Sequence, residues 1–445
     1  MEAFMQKLFQ AAKEAGLTEA EAFLVENESF EAACMEQEIT QYSANATRGL
    51  GFRAMYGGKM GYASTEAFDE QAVDMLVQGA LDSARLCEDS DEAFLHTGGD
   101  EVPAIDLFNP ALEQVSPGEK LDFALMLERE AKGYDPRIEK VGDTTVFTGK
   151  TTVRIVNTHG MDRQYTRNDC GAFLQPVARD GESVSAGVKL CLARDFAKLD
   201  VKTLAEAAAK TAIAGLHAKA VPSGAYRVIF HNEVMTDLLG VFSSVFSAES
   251  AQKGMSLLKG KIGEMIAAPF VTLVDDPLME NGLASRPFDA EGVASQRHTL
   301  MENGQFLTFL HNLKTAHKDG VQSTGNAGKA GYAGAVQVSP SNLHFLPGEK
   351  SLAEMMAEAG EGLLITEVSG LHAGANAVSG DFSLLSKGFR IQKGEKQGPV
   401  EQITIAGNFF EMLKSIQALG NDLSFPRGGM GSPSVDVGML SVGGV

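Results

Sequence analysis

The chain has 445 residues, 44% of them hydrophobic and 22% charged, a balance that excludes a disordered chain and allows sizeable cores. At roughly 150 residues per domain, about three domains or subdomains are expected. Its 58 acids against 38 Lys and Arg leave a formal net charge of -20, which argues against a nucleic-acid binder; no run approaches the roughly 20 apolar residues of a membrane span.

In MEAFMQKLFQAAKEAGLTEAEAF, Phe4, Leu8, Ala11, Ala12 and Ala15 fall on one helical face, and Glu2 stands where a signal peptide would be basic. The first 16 residues are therefore expected to form an amphipathic helix and not a secretory signal. EAFLVENE, SFEAACMEQE, ITQYSANATRG, LGFRAMYGG and MGYAST predict short strands of an antiparallel meander. Asp69 opens a helix on which Val73, Leu76, Ala80 and Ala84 repeat at helical spacing. Residues 89 to 116, acidic and bearing Pro103 and Pro110, predict a linker. LDFALMLEREAKGY predicts a helix, RIEKV to KLCLA a second meander rich in Thr and Val, and Val201 to Ala218 a long Ala-rich helix. Helix, meander and helix thus occur twice, which suggests an internal structural duplication.

Pro222 and Gly224 mark the next boundary. YRVIF predicts a strand, and Val234, Leu238, Phe242 and Val245 a helix directly after it. From about residue 267 the chain reads as mostly β, with LLITEV, FRIQKG, VEQITIAG and VDVGMLSVGG as strands and FFEMLKSIQAL as a helix. GNAGKAGYAGA (325 to 335) predicts a surface loop or lid. The expected fold class is α+β: an N-terminal α/β region of antiparallel meanders with helices (1–110), a central α/β region (111–220) and a large, mostly-β C-terminal domain (221–445).

Catalytic signatures are sparse. Cys34, Cys87, Cys170 and Cys191 form no CxxC pair, and four scattered thiols fit a reducing cytoplasm. None of the nine histidines belongs to an HExxH or HExxxH string, and no P-loop or GxSxG elbow occurs. His231 with Glu233 is the nearest imitation of a metal pair and reads as a capping or solvated site. Two polar, glycine-punctuated stretches remain. HNLKTAHKDGVQSTGNAG offers Asn312, His317, Ser323, Thr324, Gly325 and Asn326, and SGLHAGANAVSGDFSLLSKGF offers His372, Asn376, Ser379, Gly380, Asp381 and Ser383. Both fit a groove whose exposed main chain pairs with an extended peptide, and both fit Gly-rich turns of a β domain.

Those two stretches, with KIGEMIAAPFVTLVDDP, VEQITIAGNFFEMLKSIQALGND and GSPSVDVGMLSVGG, resemble the TldD/PmbA family over nearly the whole chain. The resemblance implies a two-subunit cytosolic zinc metallopeptidase acting on unfolded or leader-bearing peptides. In that family the TldD-type subunit carries zinc on an HExxxH helix plus a cysteine near the C-terminus; the PmbA/TldE-type subunit lacks these ligands and pairs with it. Counted from Ile262-Gly263-Glu264, the metal helix falls near Leu239 to Ser244, which reads LGVFSS, and the cysteine stretch near Gly428 to Gly431, which reads GGMG. The resemblance therefore implies a PmbA/TldE-type subunit with no catalytic residue and no cofactor of its own, zinc residing in a TldD-like partner. Three other readings stand beside it: a homodimer, an autonomous metallopeptidase with ligands from His311, His317, Glu367, His372 and Asp381, and a non-enzymatic modulator of a DNA enzyme.

Overall fold

The computed structural model describes residues 1–87 and 94–445; residues 89–93 of the expected linker lie outside the described residues. Phe4, Met5, Leu8 and Ala12 line the buried face of α1 (Glu2–Glu14), as the helical spacing predicts. β1 (Ala20–Met35) and β2 (Glu38–Tyr56) follow as a hairpin with strands of 16 and 19 residues. Four of the short strands expected from sequence are thus two long ones. Their polar midsections read as turns because they are exposed on both faces and carry no alternating pattern. β3 (Lys59–Thr65) returns through Gly57-Gly58, both at positive φ, and α2 (Glu70–Leu86), N-capped by Asp69, packs on it. A Cβ at Gly61 would lie 1.8 Å from the Ala80 carbonyl oxygen, so glycine sets that close approach.

The described part of the expected linker is tied down. Leu95, Leu107 and Leu112 are buried, and Asn109 and Asn168 exchange hydrogen bonds of 2.8 and 2.9 Å. α3 (Pro117–Gly133) begins with a capping box of Ser116 and Glu119. β4 (Ile138–Val141), β5 (Thr144–Asn157), β6 (Asp162–Leu174), β7 (Pro176–Asp180), β8 (Ser183–Ala186) and β9 (Lys189–Ala193) form the second meander. α4 (Val201–Ala214) stops at Gly215, short of the expected Ala218, with His217 at positive φ just beyond.

The first meander and β5, β6 and β9 of the second share one sheet, ordered β3-β2-β1-β5-β6-β9, joined where β1 pairs antiparallel with β5 from Glu21↔Asn157 to Cys34↔Thr144, while β4, β7 and β8 form a separate three-stranded sheet. Each end of the sheet carries its own helix pair and core: α1 and α2 over Leu24, Leu50 and Phe52, α3 and α4 over Ala32, Val146 and Leu174.

In the remaining chain, β10 (Gly224–Phe230) leads into α5 (Asn232–Phe242) and α6 (Ala248–Gln252). β11 (Leu273–Asp275), β12 (His298–Glu302) and β13 (Gln305–Phe306) precede α7 (Leu313–Asp319). β14 (Ala327–Gly328), β15 (Gln337–Val338) and β16 (Leu343–Phe345) lead to α8 (Leu352–Ala359). Then come β17 (Gly362–Ser369), α9 (Leu371–Gly374), β18 (Asp381–Gln392), β19 (Glu395–Asn408), α10 (Phe409–Ser415), β20 (Ala418–Leu419), β21 (Met430–Gly431) and β22 (Val435–Gly443). Strands β10-β17-β18-β19-β22 close into a barrel because β22 also pairs with β10, and closure removes the open edges. A smaller sheet, β13-β12-β11-β16-β21, packs beside it. Their shared core holds Phe230, Phe242, Phe246, Phe306, Phe345 and Phe409, each almost fully buried. The class is α+β, with an N-terminal α/β region and a β-rich C-terminal region.

Candidate functional site

Helix α5 occupies the place that the resemblance gives to a metal helix. Leu238, Leu239 and Phe242, with Val245 and Phe246 after it, are all 0% exposed. Phe242 stacks on Phe409 at 4.4 Å with an interplanar angle of 12°. β21, which ends the GGMG stretch, packs against α5, and Gly428 and Gly429 just before it both have positive φ. The exposed side of the junction holds an ion pair: Arg427 donates to both carboxylate oxygens of Asp237, at 2.8 and 3.0 Å. This donor set does not fit a zinc ion. A catalytic zinc takes about three nitrogen, sulfur or oxygen ligands, and the inward face of α5 offers aliphatic and aromatic carbon. Among the described residues no three His, Cys, Asp or Glu side chains stand where they could hold a metal. The five alternative ligands are dispersed: His311 is buried, His317 packs on Phe94, Glu367 pairs with Lys387 at 3.2 Å, Asp381 accepts from Asn408, and His372 is exposed on α9.

The first glycine-punctuated stretch is a closed loop held by its own side chains. Asn312 caps α7 through a capping box with Thr315, and Gly320 ends the helix in the left-handed region. Thr324 Oγ1 accepts from the His311 N–H at 2.7 Å and donates to the His311 carbonyl oxygen at 3.0 Å. Ser323 Oγ donates to the same carbonyl at 3.4 Å. Asn326 Nδ2 donates to Asp275 Oδ2 at 2.7 Å, while Ser341 donates twice to Asp275 Oδ1. Burial pushes the Asp275 carboxyl up, against these bonds. Asn312, Thr324, Gly325 and Asn326 are buried, Asn326 against β11 and Gly325 against the Ala294 carbonyl; Ser323 is half-buried. Burial likewise pushes the His311 imidazole down, with Asp319 opposing.

The second stretch joins β17 to β18. Asn376 Oδ1 accepts from the N–H groups of Val378 and Ser379, and its own N–H donates to the Asp381 carbonyl. Asp381 accepts from Asn408 Nδ2 at 2.9 Å, and that bond, with Ser379, holds its carboxyl below the ordinary range. Gly380 is at positive φ, where a Cβ would strike the Phe410 ring. His372, Asn376, Asp381 and Ser383 are exposed and Ser379 half-buried; α9 packs on α5. The first stretch is tied to β11, the second to α10 and α5.

Sequence reasoning missed the densest polar cluster. Arg53 on β2 donates to Glu21 on β1 at 2.8 Å and to Glu291 at 3.3 Å, all three almost fully buried. The second oxygen of Glu291 accepts the Leu313 N–H at 2.8 Å, at the start of α7. Asp289 accepts from the N–H groups of Glu291, Val293 and Ala327. Burial pushes Glu291 up to about 7, with Arg53 pulling it down and Asp289 pushing it further up. Burial disfavours the Arg53 cation, but Glu21 and Glu291 outweigh it and hold the proton more tightly than in free arginine. The expected lid lies on this junction: Lys329 sits over the Phe23 ring at 4.5 Å, and Tyr332 covers Gly49 and Gly51 of β2. Burial pushes Lys329 down to about 8, with Arg53 adding to it and Glu21 and Glu291 opposing. The sequence signal was present as charges inside strand patterns, Glu21 and Arg53, but pairing partners 238 residues apart have no local signature.

A β-meander sheet with paired helices, followed by a barrel whose covering helix abuts a glycine-rich turn, defines a three-part architecture with known counterparts. Residues 20–84 match the PmbA/TldA metallopeptidase domain 1, residues 110–216 its central domain and residues 223–444 its C-terminal domain. The chain belongs to this PmbA/TldD metallopeptidase family. It is 30% identical to the metalloprotease PmbA of Escherichia coli O157:H7 over 396 residues, which is 87% of this chain and 84% of that one. Among solved structures, a Thermotoga maritima protein whose name proposes that it modulates DNA gyrase is 34% identical with a TM-score of 0.92, covering 99% of this chain and 100% of the other. TldE of Thermococcus kodakarensis shares the fold, with a TM-score of 0.89 at 23% identity over 99% of this chain and 100% of that one. No described helix is long and apolar enough to cross a membrane.

Proposed function

We propose that this chain is the PmbA/TldE-type, non-catalytic subunit of a TldD/TldE-type zinc peptidase, and that a TldD-like partner supplies the metal and cuts the peptide. The observation that carries this reading is the fully buried Leu238, Leu239 and Phe242 face on α5, at the position where the resemblance puts the metal helix of the catalytic type. A peptidase zinc needs donors and an open position to activate water and polarise the carbonyl, and carbon side chains supply neither. The contribution of this chain is then to enclose and orient. Exposed His372, Asn376, Asp381 and Ser383, with half-buried Ser379, are the groove candidates suited to meet an unfolded or leader-bearing peptide in the cytoplasm. Purified alone, the chain is expected to hold no stoichiometric zinc and to cleave no peptide. Mixed with a TldD-like chain, it is expected to co-elute and to raise cleavage. Stoichiometric zinc and peptide cleavage by the lone chain would overturn the proposal.

A further inference from the structure

The two helix pairs cover the ends of the N-terminal sheet and leave an interval between them. On β1, Leu24 lies under α1 and α2, and Ala32 under α3 and α4. In the interval, the register sets Phe30 beside Ala44 of β2 and Thr148 of β5, and Glu28 beside Ala46 and Lys150. Side chains alternate along a strand, so these residues share the face of Leu24 and Ala32. Glu28, Ala44 and Ala46 are exposed there. The opposite face, with Phe23 and Val25, meets Phe288 of the C-terminal region. The interval is a cleft of about 350 Å³, within the range of small-molecule sites, about 300–1,000 Å³. Buried Phe30 and Leu112 give it an apolar lining, and Ala44 and Ala46 are too short to fill it.

Lys120, near the start of α3, lines the cleft and is only 8% exposed. Its ammonium donates to Thr148 Oγ1 at 3.0 Å and lies 4.7 Å from the Phe30 ring centre. An ammonium has three protons to donate, and among the described residues no carboxylate stands within bonding distance to take the others. Burial pushes Lys120 down from its ordinary range, with Glu113 and Cys170 opposing. A buried cation without a counter-ion is costly, and a cavity beside it lets one enter from solvent. The rim has the opposite imbalance. Lys150 pairs with Glu28 at 2.9 Å and stands 3.8 Å from Glu113, so one cation serves two carboxylates.

We infer that this cleft binds a free α-amino acid, with its carboxylate on Lys120, its ammonium at the Glu28 and Glu113 carboxylates and its side chain against Phe30 and Leu112. The Thr148 hydroxyl accepts from Lys120 and so keeps its own proton to donate to the same carboxylate. A plain anion would satisfy Lys120 but meet the surplus carboxylate of the rim; a plain amine would satisfy the rim and leave Lys120 unpaired. A zwitterion answers both. The site lies on the sheet face turned away from the C-terminal region, apart from the groove candidates, and does not rest on the function proposed above.

The test screens the full chain against each of the twenty standard L-amino acids by thermal shift and follows the largest shift by calorimetry. At least one amino acid is expected to bind saturably at one per chain. Its analogue without the amine, and its analogue without the carboxylate, are each expected to bind at least tenfold more weakly at the same ionic strength. Lys120→Met is expected to weaken binding at least tenfold. Ala46→Leu, a change at an exposed side chain, is expected to do the same by filling the cleft while circular dichroism stays unchanged. Glu113→Gln can still accept from Asn168 Nδ2 and is expected to narrow the gap between the amino acid and its analogue without the amine. Absence of saturable binding by all twenty overturns the inference, as does equal binding of either analogue. Full affinity in a folded Lys120→Met overturns it too; if that variant does not fold, full affinity in Ala46→Leu does so alone.

Discussion

The Arg53 guanidinium on the N-terminal sheet reaches Glu291 at 3.3 Å across 238 positions of sequence, with both side chains almost fully buried. The same Glu291 anchors the first N–H of α7. One carboxylate therefore fastens the N-terminal sheet to the loop that carries half of the groove candidates. Glu21 Oε2 and Arg53 Nη2 are buried with no hydrogen-bond partner among the described residues, so the cluster is held by few bonds and depends on each.

Removing Arg53 leaves two carboxylates buried without their cation. Arg53→Met is expected to cost about 3–5 kcal/mol of stability, the usual penalty for breaking a buried pair from one side. Urea denaturation of variant and wild type measures it. A loss below about 1 kcal/mol, the range of exposed pairs, would contradict the assigned role.

Glu291 also predicts a pH dependence. Its folded pKa is raised by burial to about 7, from an ordinary value of 4.5. Between those values the folded chain keeps a proton that the unfolded chain has released, so this group's contribution to stability falls as pH rises from about 4.5 to about 7. Glu291→Gln cannot titrate. The difference in unfolding free energy between wild type and Glu291→Gln is expected to shift against the wild type across that window and to level off above it. Denaturation at several pH values between 4 and 8 reads this directly, and a flat difference would refute it.

Phe242 fills the place of a metal helix with a stacked ring. Phe242→Ala is expected to destabilise by about 3–5 kcal/mol through the cavity left against Phe409 and Phe382. Thermal and urea melts test the size of the effect. By contrast, Arg427→Ala breaks an ion pair whose arginine side chain is 65% exposed, and solvent screening limits its cost to about 1 kcal/mol or less.

Gly51 gives a steric prediction. A Cβ there would lie 2.0 Å from the Tyr332 carbonyl oxygen, a main-chain atom that cannot rotate away. Gly51→Ala is expected to lift the 328–335 strap and cost about 1–3 kcal/mol. Limited proteolysis within the strap should speed up in the variant, while Gly57→Ala, where space is open but φ is positive, should leave the strap's cleavage unchanged.

Several elements were legible because their information is local. Spaced apolar residues and the capping Asp69 announced helices, and FRIQKG and VEQITIAG announced strands, whereas the short helix behind Asn312 was not read from sequence. The hairpin β1–β2 was cut into short strands because its solvent-washed middle has no amphipathic period to detect. The segment 325–335 read only as a surface loop or lid, without its seat, because the glycines that receive it, Gly49 and Gly51, lie on a strand far earlier in the chain.

By itself the sequence determined the family and the absence of an HExxxH string, since both depend on which residues occur and in what order. Tertiary structure decided that the two meanders share one six-stranded sheet, that C-terminal strands close into a barrel, and that Glu21, Arg53 and Glu291 share one buried cluster. Those outcomes depend on which distant segments exclude water together. Burial raises the energetic stake of each charge and each pairing, and no local pattern of residues records that neighbourhood.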